Sequence, residues 1–338
     1  MQKVMIAGIG GASLGTELLK ALMLSGKYEV YGCDISRTAY GLYDAGFTQT
    51  FCVDRDNYVR SVISACRAVG AQWLIPGGEQ PMVLLGKSIE QVRIAGLQLV
   101  SNSASVIETF SDKSETFKLL RQAGIPVPRT KAIDGPADVR YVGLPCIIKP
   151  ATGSGGSASV FFAVTVDEAM IYADFIRRNG SVALAQEYIG EEEGEFTVGV
   201  LSLPDGAIVG SVALRRTLEA KLSVSYRGRG GLISSGYSQG YIGPFLEICE
   251  QAQIIAKAVG SKGPINIQGR VKSGIFLPFE INPRFSASTY LRAMAGFNEV
   301  DILIDYLAFG TLAKRPAISP GWYLRSLTES FTPDEKLK

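Results

Sequence analysis

The chain has 338 residues, room for two domains or one large enzyme built from subdomains at about 150 residues per domain, and it can bury a substantial core. Hydrophobic residues make up 46% and charged residues 20%, and 34 Lys+Arg against 32 Asp+Glu leave a net charge of +2. That balance excludes disorder and a polyelectrolyte role, and gives no global case for nucleic acid or an anionic membrane.

Histidine is absent, so imidazole acid–base catalysis, Ser-His-Asp and Cys-His triads and the usual imidazole zinc sites are excluded together. The five cysteines (Cys33, Cys52, Cys66, Cys146, Cys249) are odd in number, widely spaced and form no CxxC, which implies reduced thiols in a cytoplasmic protein. No apolar run of about 18 residues is present to cross a bilayer. Residues 1–23, interrupted by Gly10, Gly11, Gly15, Glu17 and Lys20, read as strand, glycine turn and helix rather than as a signal peptide.

Taken in order, the apolar runs at 4–7, 30–33, 50–53, 73–75 and 97–100 predict strands, with helices over 16–24, 58–69 and 82–95. Alternation of this kind predicts a parallel sheet covered on both faces, and so an α/β domain over residues 1–102. The turn from Gly8 to Gly15 either receives a phosphate on its amides or merely permits a tight strand-to-helix turn, and Asp34 would suit a ribose hydroxyl in a dinucleotide enzyme. Pro76-Gly77-Gly78-Glu79-Gln80 ends a strand and is a candidate to face a cleft.

The second region opens on a helix start, Ser111 with Ser114 or Asp112 with Glu115, and that helix ends at Gly124 and Pro126. Strands follow at 144–150, 158–164, 182–188, 195–203 and 207–214, and residues 264–272 and 275–282 pair around Lys272-Ser273-Gly274. The tail beyond Pro316 reads as a surface extension or cover.

Four features carry chemistry. Lys149, at a strand end, precedes a loop of small residues, Thr152, Gly153, Ser154, Gly155, Gly156 and Ser157, so it can meet phosphate charge while the loop closes over it. Gln186-Glu187-Tyr188-Ile189 can present backbone to an adenine edge, with the carboxylate of Glu195 later to accept ribose hydroxyls. Period-two geometry puts Glu280 and Asn282 on one face, where Gln268 approaches from the neighbouring strand; three oxygen donors there suit Mg²⁺, and Arg284 could stabilise a transferring phosphoryl group. The segment 215–229 is basic, and in it Arg215 and Lys221 are candidates to receive an acceptor's carboxylate.

In their order and spacing, these residues resemble the ATP-grasp superfamily, and within it proteins similar to the ATP-binding halves of the carbamoyl-phosphate synthase large subunit. The resemblance implies a mixed α/β and α+β chain: an N-terminal parallel-sheet domain preceding the grasp (1–102), a two-subdomain ATP-grasp domain (103–316, with a lid about 115–185 and a larger subdomain about 186–316) and a C-terminal extension (317–338). It implies that Lys113 and Lys149 contact ATP phosphates under the loop 152–157, that Glu187 and the backbone of Tyr188 and Ile189 hold adenine, and that Glu195 holds ribose. Gln268, Glu280 and Asn282 would bind Mg²⁺, or Mn²⁺ in its place, with Arg284 beside the transferred phosphate. The turn at Gly8 then need not bind NAD.

The implied reaction activates a small carboxylate as an acyl phosphate at the expense of ATP and joins it to an amine or other nucleophile, releasing ADP and phosphate, which demands positioning more than a protein base and so tolerates a chain without histidine. With one set of grasp motifs and no glutaminase segment, carbamoyl-phosphate synthesis is not the expected activity, and the histidine-containing nucleotide site of the biotin-carboxylase branch is excluded. An amino-acid or peptide-type ligase is the expectation, with no nucleic-acid or membrane partner; a homodimer is common among similar proteins. The alternative is an ATP-binding or sensing protein without turnover.

Overall fold

The computed structural model describes residues 1–10, 14–110, 112–152, 159–228, 230–312 and 317–338. The chain begins with β1 (Gln2–Ala7), α1 (Leu14–Ser25), β2 (Tyr28–Asp34), β3 (Gln49–Cys52), α2 (Tyr58–Val69), β4 (Trp73–Pro76), α3 (Glu79–Lys87), α4 (Ile89–Ile94), β5 (Gln98–Leu99) and α5 (Ala104–Phe110). Their strands form the expected parallel sheet, in the order β3-β2-β1-β4-β5. β1 is covered on both faces: Val4 and Ile6 share a core with α1, Met5 and Ala7 with α2. The single helix predicted over 82–95 is two, because Ser88 leaves helical geometry at ψ 24° between α3 and α4.

β1 lies between β2 and β4, where the strand order reverses, and open α/β sheets bind ligands beside the C-terminal strand ends at such a point. There Gly77 N donates to Ala7 O at 2.7 Å, and a Cβ on Gly77 would lie 2.0 Å from Gly8 O, so only glycine lets the two loops meet. Asp34 accepts from the amides of Ile9 (2.8 Å) and Ser36 (3.0 Å), so its carboxylate fixes the turn after β1 rather than waiting for a ribose.

The next group comprises α6 (Lys113–Gln122), β6 (Thr130–Ala132), α7 (Pro136–Val142), β7 (Cys146–Pro150), β8 (Phe161–Ala163), α8 (Val166–Arg178) and β9 (Ala183–Glu187). Four antiparallel strands, ordered β6-β9-β7-β8, pack one face on α7 and α8 through Val139, Val142, Ile148 and Ala173. α8 opens on a capping box, with Glu168 N donating to Thr165 Oγ1 at 3.1 Å and Thr165 N to Glu168 Oε2 at 3.3 Å.

The remainder holds β10 (Glu195–Ser202), β11 (Ile208–Arg216), β12 (Val224–Gly228), β13 (Gly231–Ser234), β14 (Gly240–Ile242), α9 (Leu246–Ala258), β15 (Pro264–Lys272), β16 (Ile275–Asn282), α10 (Thr289–Met294), α11 (Glu299–Phe309) and β17 (Gly321–Tyr323). A six-stranded antiparallel sheet runs β16-β15-β10-β11-β14-β17, and β12 pairs with β13 alone. β15 and β16 have the predicted bounds, joined by Ser273 (φ 53°) and Gly274 (φ 74°), the two-residue turn whose twist matches its strands.

Alternation sorts this sheet into two surfaces. Phe196, Val198, Val200, Ile265, Ile267 and Ile281 pack with α9, and the residues between them face a cleft. The tail is more than a cover: β17 extends the sheet edge beside β14, and Arg325 pairs with Glu17 of α1 at 3.1 Å, strapping the sheet to the first group. All five cysteines are free, and among the described residues no helix is long and apolar enough to cross a membrane.

Candidate active site

The cleft, about 370 Å³, is bounded by three walls: the start of α1 with the loop after β4, the inner edge of β7 and β9, and the polar face of β10, β15 and β16. That volume falls in the usual range for a small-molecule site. Of the residues singled out from sequence, Lys113, Lys149, Glu187, Tyr188, Ile189, Glu195, Gln268, Glu280, Asn282 and Arg284 all line it, as do Gly77, Gly78 and Glu79.

Lys113 and Lys149 are brought together by local geometry. Asp112 caps α6 by accepting from Ser114 N at 2.7 Å, which makes Lys113 the first helical residue, and Lys113 N donates to Ala151 O two residues beyond Lys149. Of the two predicted helix starts the structure uses Asp112; Ser111 lies outside the described residues. Lys149 is 5% exposed, and its ammonium donates to Gln186 Oε1 (2.8 Å) and Phe279 O (2.9 Å) and sits 5.1 Å from the centre of the Phe117 ring. Burial, and next the charge of Lys113, push it down to about 7.

The Phe279 carbonyl is available because the β15–β16 ladder slips at this point. Gln268 pairs with Glu280 but Gly269 with Pro278, so Phe279 is an extra residue, a bulge that re-aims its backbone at the lysine. Gln268 Nε2 donates to Glu280 Oε2 at 3.1 Å, and Asn266 lies opposite Asn282. One carboxylate and two carboxamides suit a divalent ion with hard-oxygen preference. Among the described residues no three His, Cys, Asp or Glu side chains gather, so this set fits Mg²⁺ that keeps waters and shares substrate phosphates rather than a caged metal.

Arg284 leaves β16 at its end. Its Nη1 donates to Phe285 O at 2.9 Å, while its Nε is buried with no partner among the described residues, a donor for an incoming anion. Burial pulls its guanidinium below the ordinary range, against the nearby carboxylates of Glu280 and Glu79.

Three expectations need correction. Glu195 faces the cleft, yet its side chain has no exposure, because Oε1 accepts from Arg216 Nη1 (3.0 Å) and Oε2 from Arg270 Nε (2.9 Å); the carboxylate is committed to two arginines rather than free for ribose. Glu187 takes Arg129 Nε at 3.2 Å and Lys272 Nζ at 3.0 Å, so its carboxylate spans the rim and only its backbone is left for adenine; burial would raise its carboxyl, but these cations hold it low. Arg215 and Lys221 are both exposed and neither lines the cleft. Arg215 is out of phase, and the inward residue of β11 is its neighbour Arg216.

Sequence reasoning misses Arg270 and finds Arg216 only as one cation of the basic segment 215–229. Arg216 donates through Nη2 to the carbonyls of Ser223, Ser235 and Tyr237, holding the β12–β13 hairpin over the cleft. Arg270 reaches Ile189 O at 2.6 Å and lies 4.9 Å from the centre of the Tyr188 ring. Burial draws Arg216 below its ordinary value; it acts the same way on Arg270, where Glu195 and Tyr188 together outweigh it and the net shift is upward. Both were findable by parity, Arg270 two residues from Gln268 and Arg216 two from Leu214. Thr152 is exposed with its hydroxyl 3.5 Å from that of Ser181, and Gly153, Ser154, Gly155, Gly156 and Ser157 lie outside the described residues.

Comparison with known proteins agrees with this geometry. The carbamoyl phosphate synthase large chain of Deinococcus radiodurans is 26% identical over 225 residues, which are 62% of this chain and 20% of that protein. The D-alanine-D-alanine ligase of Corynebacterium jeikeium is 32% identical over 124 residues, 35% of this chain and 32% of the other. The chain thus spans a fifth of the length of the synthase chains it matches.

Among solved structures, biotin carboxylase from Campylobacter jejuni superposes with a TM-score of 0.69 at 18% identity, covering 93% of this chain and 72% of that one. The L-amino acid ligase from Bacillus licheniformis does so at 0.65 and 13%, covering 90% and 74%. At these identities the likeness establishes the fold. The family model for the ATP-grasp domain matches residues 110–288, more than half of the chain and every strand that carries the polar face, and the chain therefore belongs to the ATP-grasp domain family.

Proposed function

We propose that the chain is an ATP- and Mg²⁺-dependent carboxylate–amine ligase. The observation that carries the reading is the facing of Gln268, Glu280 and Asn282 by Lys149, whose ammonium is seated on the bulged carbonyl of Phe279. An adenine binder alone has no use for both sets. The proposed division is a preceding α/β domain (1–102), a grasp domain (103–316) and a tail (317–338).

In this reading adenine lies against the backbone of Glu187, Tyr188 and Ile189, and the phosphates run toward Lys113 and Lys149. Glu280, Asn282 and Gln268 would hold Mg²⁺, which supplies charge neutralisation of the phosphates when bound. A substrate carboxylate oxygen bonds to the γ-phosphorus as the β,γ-bridging P–O bond breaks and ADP leaves; Arg284 meets the charge on the transferring group. The amine nitrogen then bonds to the acyl carbon, phosphate departs, and the nitrogen gives up a proton. No step requires histidine. Small-molecule carboxylates and amines are the partners this predicts.

The test is ADP release with ATP and Mg²⁺ across a matrix of amino acids and small carboxylates, with mass spectrometry of the products. One acid and amine pair is expected to release ADP. Glu280→Gln and Lys149→Ala should each lower that rate by about a hundredfold or more, the usual effect of removing a group that meets developing charge. Normal turnover in either variant would show that the site is misplaced, and nucleotide binding without ADP from any mixture would favour the sensing alternative.

A further inference from the structure

On the same side of the sheet as its polar residues, over Gly199 of β10, lies a second buried ion pair that no step above uses. Arg292 of α10 is 1% exposed and Glu299 of α11 is 1% exposed, and they meet twice, Nε to Oε1 at 3.1 Å and Nη2 to Oε2 at 3.0 Å. Thr289 Oγ1 adds a bond to Glu299 Oε2 at 3.3 Å. A buried pair of this kind stabilises little in net terms against well-packed apolar residues, so its presence calls for another reason.

That reason is visible in what the guanidinium does with its remaining donors. Nη2 donates to Ser286 Oγ at 3.0 Å, in the loop after Arg284, and Nη1 to Asn266 Oδ1 at 3.5 Å on β15. Asn266 Oδ1 also accepts from Thr197 Oγ1 at 2.9 Å. Both contacts fall on the same oxygen, and because a guanidinium has donors only, this assigns the carbonyl end of the amide to Arg292 and Thr197; the NH₂ end makes no hydrogen bond to a described residue. Asn266 is 2% exposed and lines the cleft, two positions along β15 from Gln268 and opposite Asn282. Facing the cleft with its donors, it cannot serve as a further metal ligand; it suits a phosphoryl or acyl oxygen.

We infer that Arg292, braced by Glu299, is a positioning residue that turns the Asn266 amide donor-outward and fixes the Ser286 loop beside Arg284, so that Asn266 binds an oxygen of the terminal phosphoryl group. The packing supports a purpose-built seat. A Cβ on Gly199, in the middle of β10, would come within 2.1 Å of Glu299 Oε1 and 2.4 Å of Arg292 Nε, so the strand carries a glycine where a side chain would drive the pair out. The inference rests on the nucleotide reading of the cleft.

The experiment is calorimetric titration of the full chain with Mg²⁺ and either ADP or a non-hydrolysable ATP analogue, for wild type, Arg292→Lys, Asn266→Ala and the double variant, with thermal melts alongside. Arg292→Lys keeps the charge opposite Glu299 but loses the fork. Each single variant is expected to weaken the ATP analogue by about tenfold while ADP stays within about twofold, and the double variant to be no worse than Asn266→Ala alone, because the two act as a unit. Thr197→Val, which removes the other donor on Asn266 Oδ1 at nearly constant volume, should weaken the analogue in the same selective way even if Arg292→Lys fails to fold.

Losses that multiply in the double variant, or that fall equally on ADP and the analogue, would overturn the positioning role, as would a lowered melting temperature with both affinities intact. A wild type that binds neither nucleotide would instead overturn the reading of the cleft, and this inference with it.

Discussion

The wall formed by β7 and β9 and the floor formed by β10, β11, β15 and β16 both bury cations beside the cleft, but they keep them in opposite ways. On the wall, Lys149 is given neutral acceptors only, the Gln186 amide and the Phe279 carbonyl, with the Phe117 ring beneath it and Lys113 nearby; it has fallen to about 7. On the floor, Arg216 and Arg270 share the carboxylate of Glu195, and guanidinium groups do not give up their proton. The floor is therefore charged at any ordinary pH, whereas the charge of the wall depends on whether Lys149 holds its proton.

The largest effect should come from breaking the floor. Glu195→Gln strands two buried guanidiniums, and removing one member of a buried ion network costs about 3–5 kcal/mol. Urea denaturation of the variant should show that loss. A change below about 1 kcal/mol would mean that water reaches the arginines and that the floor is no more prebuilt than the wall.

A smaller, pH-dependent effect sharpens the contrast on the wall. Without ligand, Lys149 is an ammonium below about 7 and an amine above it. If, as proposed, phosphate binds the ammonium, the bound state takes up a proton at higher pH, and nucleotide affinity should weaken by about tenfold per pH unit from 7 upward until the bound-state value is reached. Lys149→Arg cannot titrate, so its profile should lose that slope while any titration of the nucleotide itself remains. Parallel profiles for the two proteins between pH 6 and 9 would place the lysine's proton elsewhere.

The same contrast bears on how much the sequence disclosed. Placements that depend on position along one strand are legible: period two puts Glu280 and Asn282 on a face, the Ser273-Gly274 turn sets the register, and Gln268 stands directly opposite Glu280. Roles that depend on which side chains meet across elements are not. Glu195 was read as a free carboxylate because nothing local announces that Arg216 and Arg270, from two other strands, close on it. Arg292 and Glu299 sit on separate short helices in apolar surroundings, and the only trace of their destination is a glycine in the middle of β10. The start of α8 does carry a local signal, since Thr165-Val166-Asp167-Glu168 is a capping-box sequence. The break at Ser88 had no such marker, since the apolar period continues across it.

The smallest expected effect tests the phase of β11 itself. Arg215 and Arg216 are adjacent and chemically identical, yet one is exposed and the other has no exposed side-chain surface. Alternation explains this: Val212, Leu214 and Arg216 share the inward face, and Arg215 shares the other with Ala213, which packs toward α9. Arg215→Ala should therefore stay within about 0.5 kcal/mol of wild type in stability and leave nucleotide affinity within about twofold, as surface substitutions do. Arg216→Ala should release the carbonyls of Ser223, Ser235 and Tyr237 and leave Glu195 with one partner, so hydrogen exchange ought to rise across residues 221–238 in that variant alone. If the Arg215 variant showed that rise and the Arg216 variant did not, β11 would be out of register by one residue. A one-residue slip exchanges the two faces of a strand, and the floor would then have to be rebuilt around the other arginine.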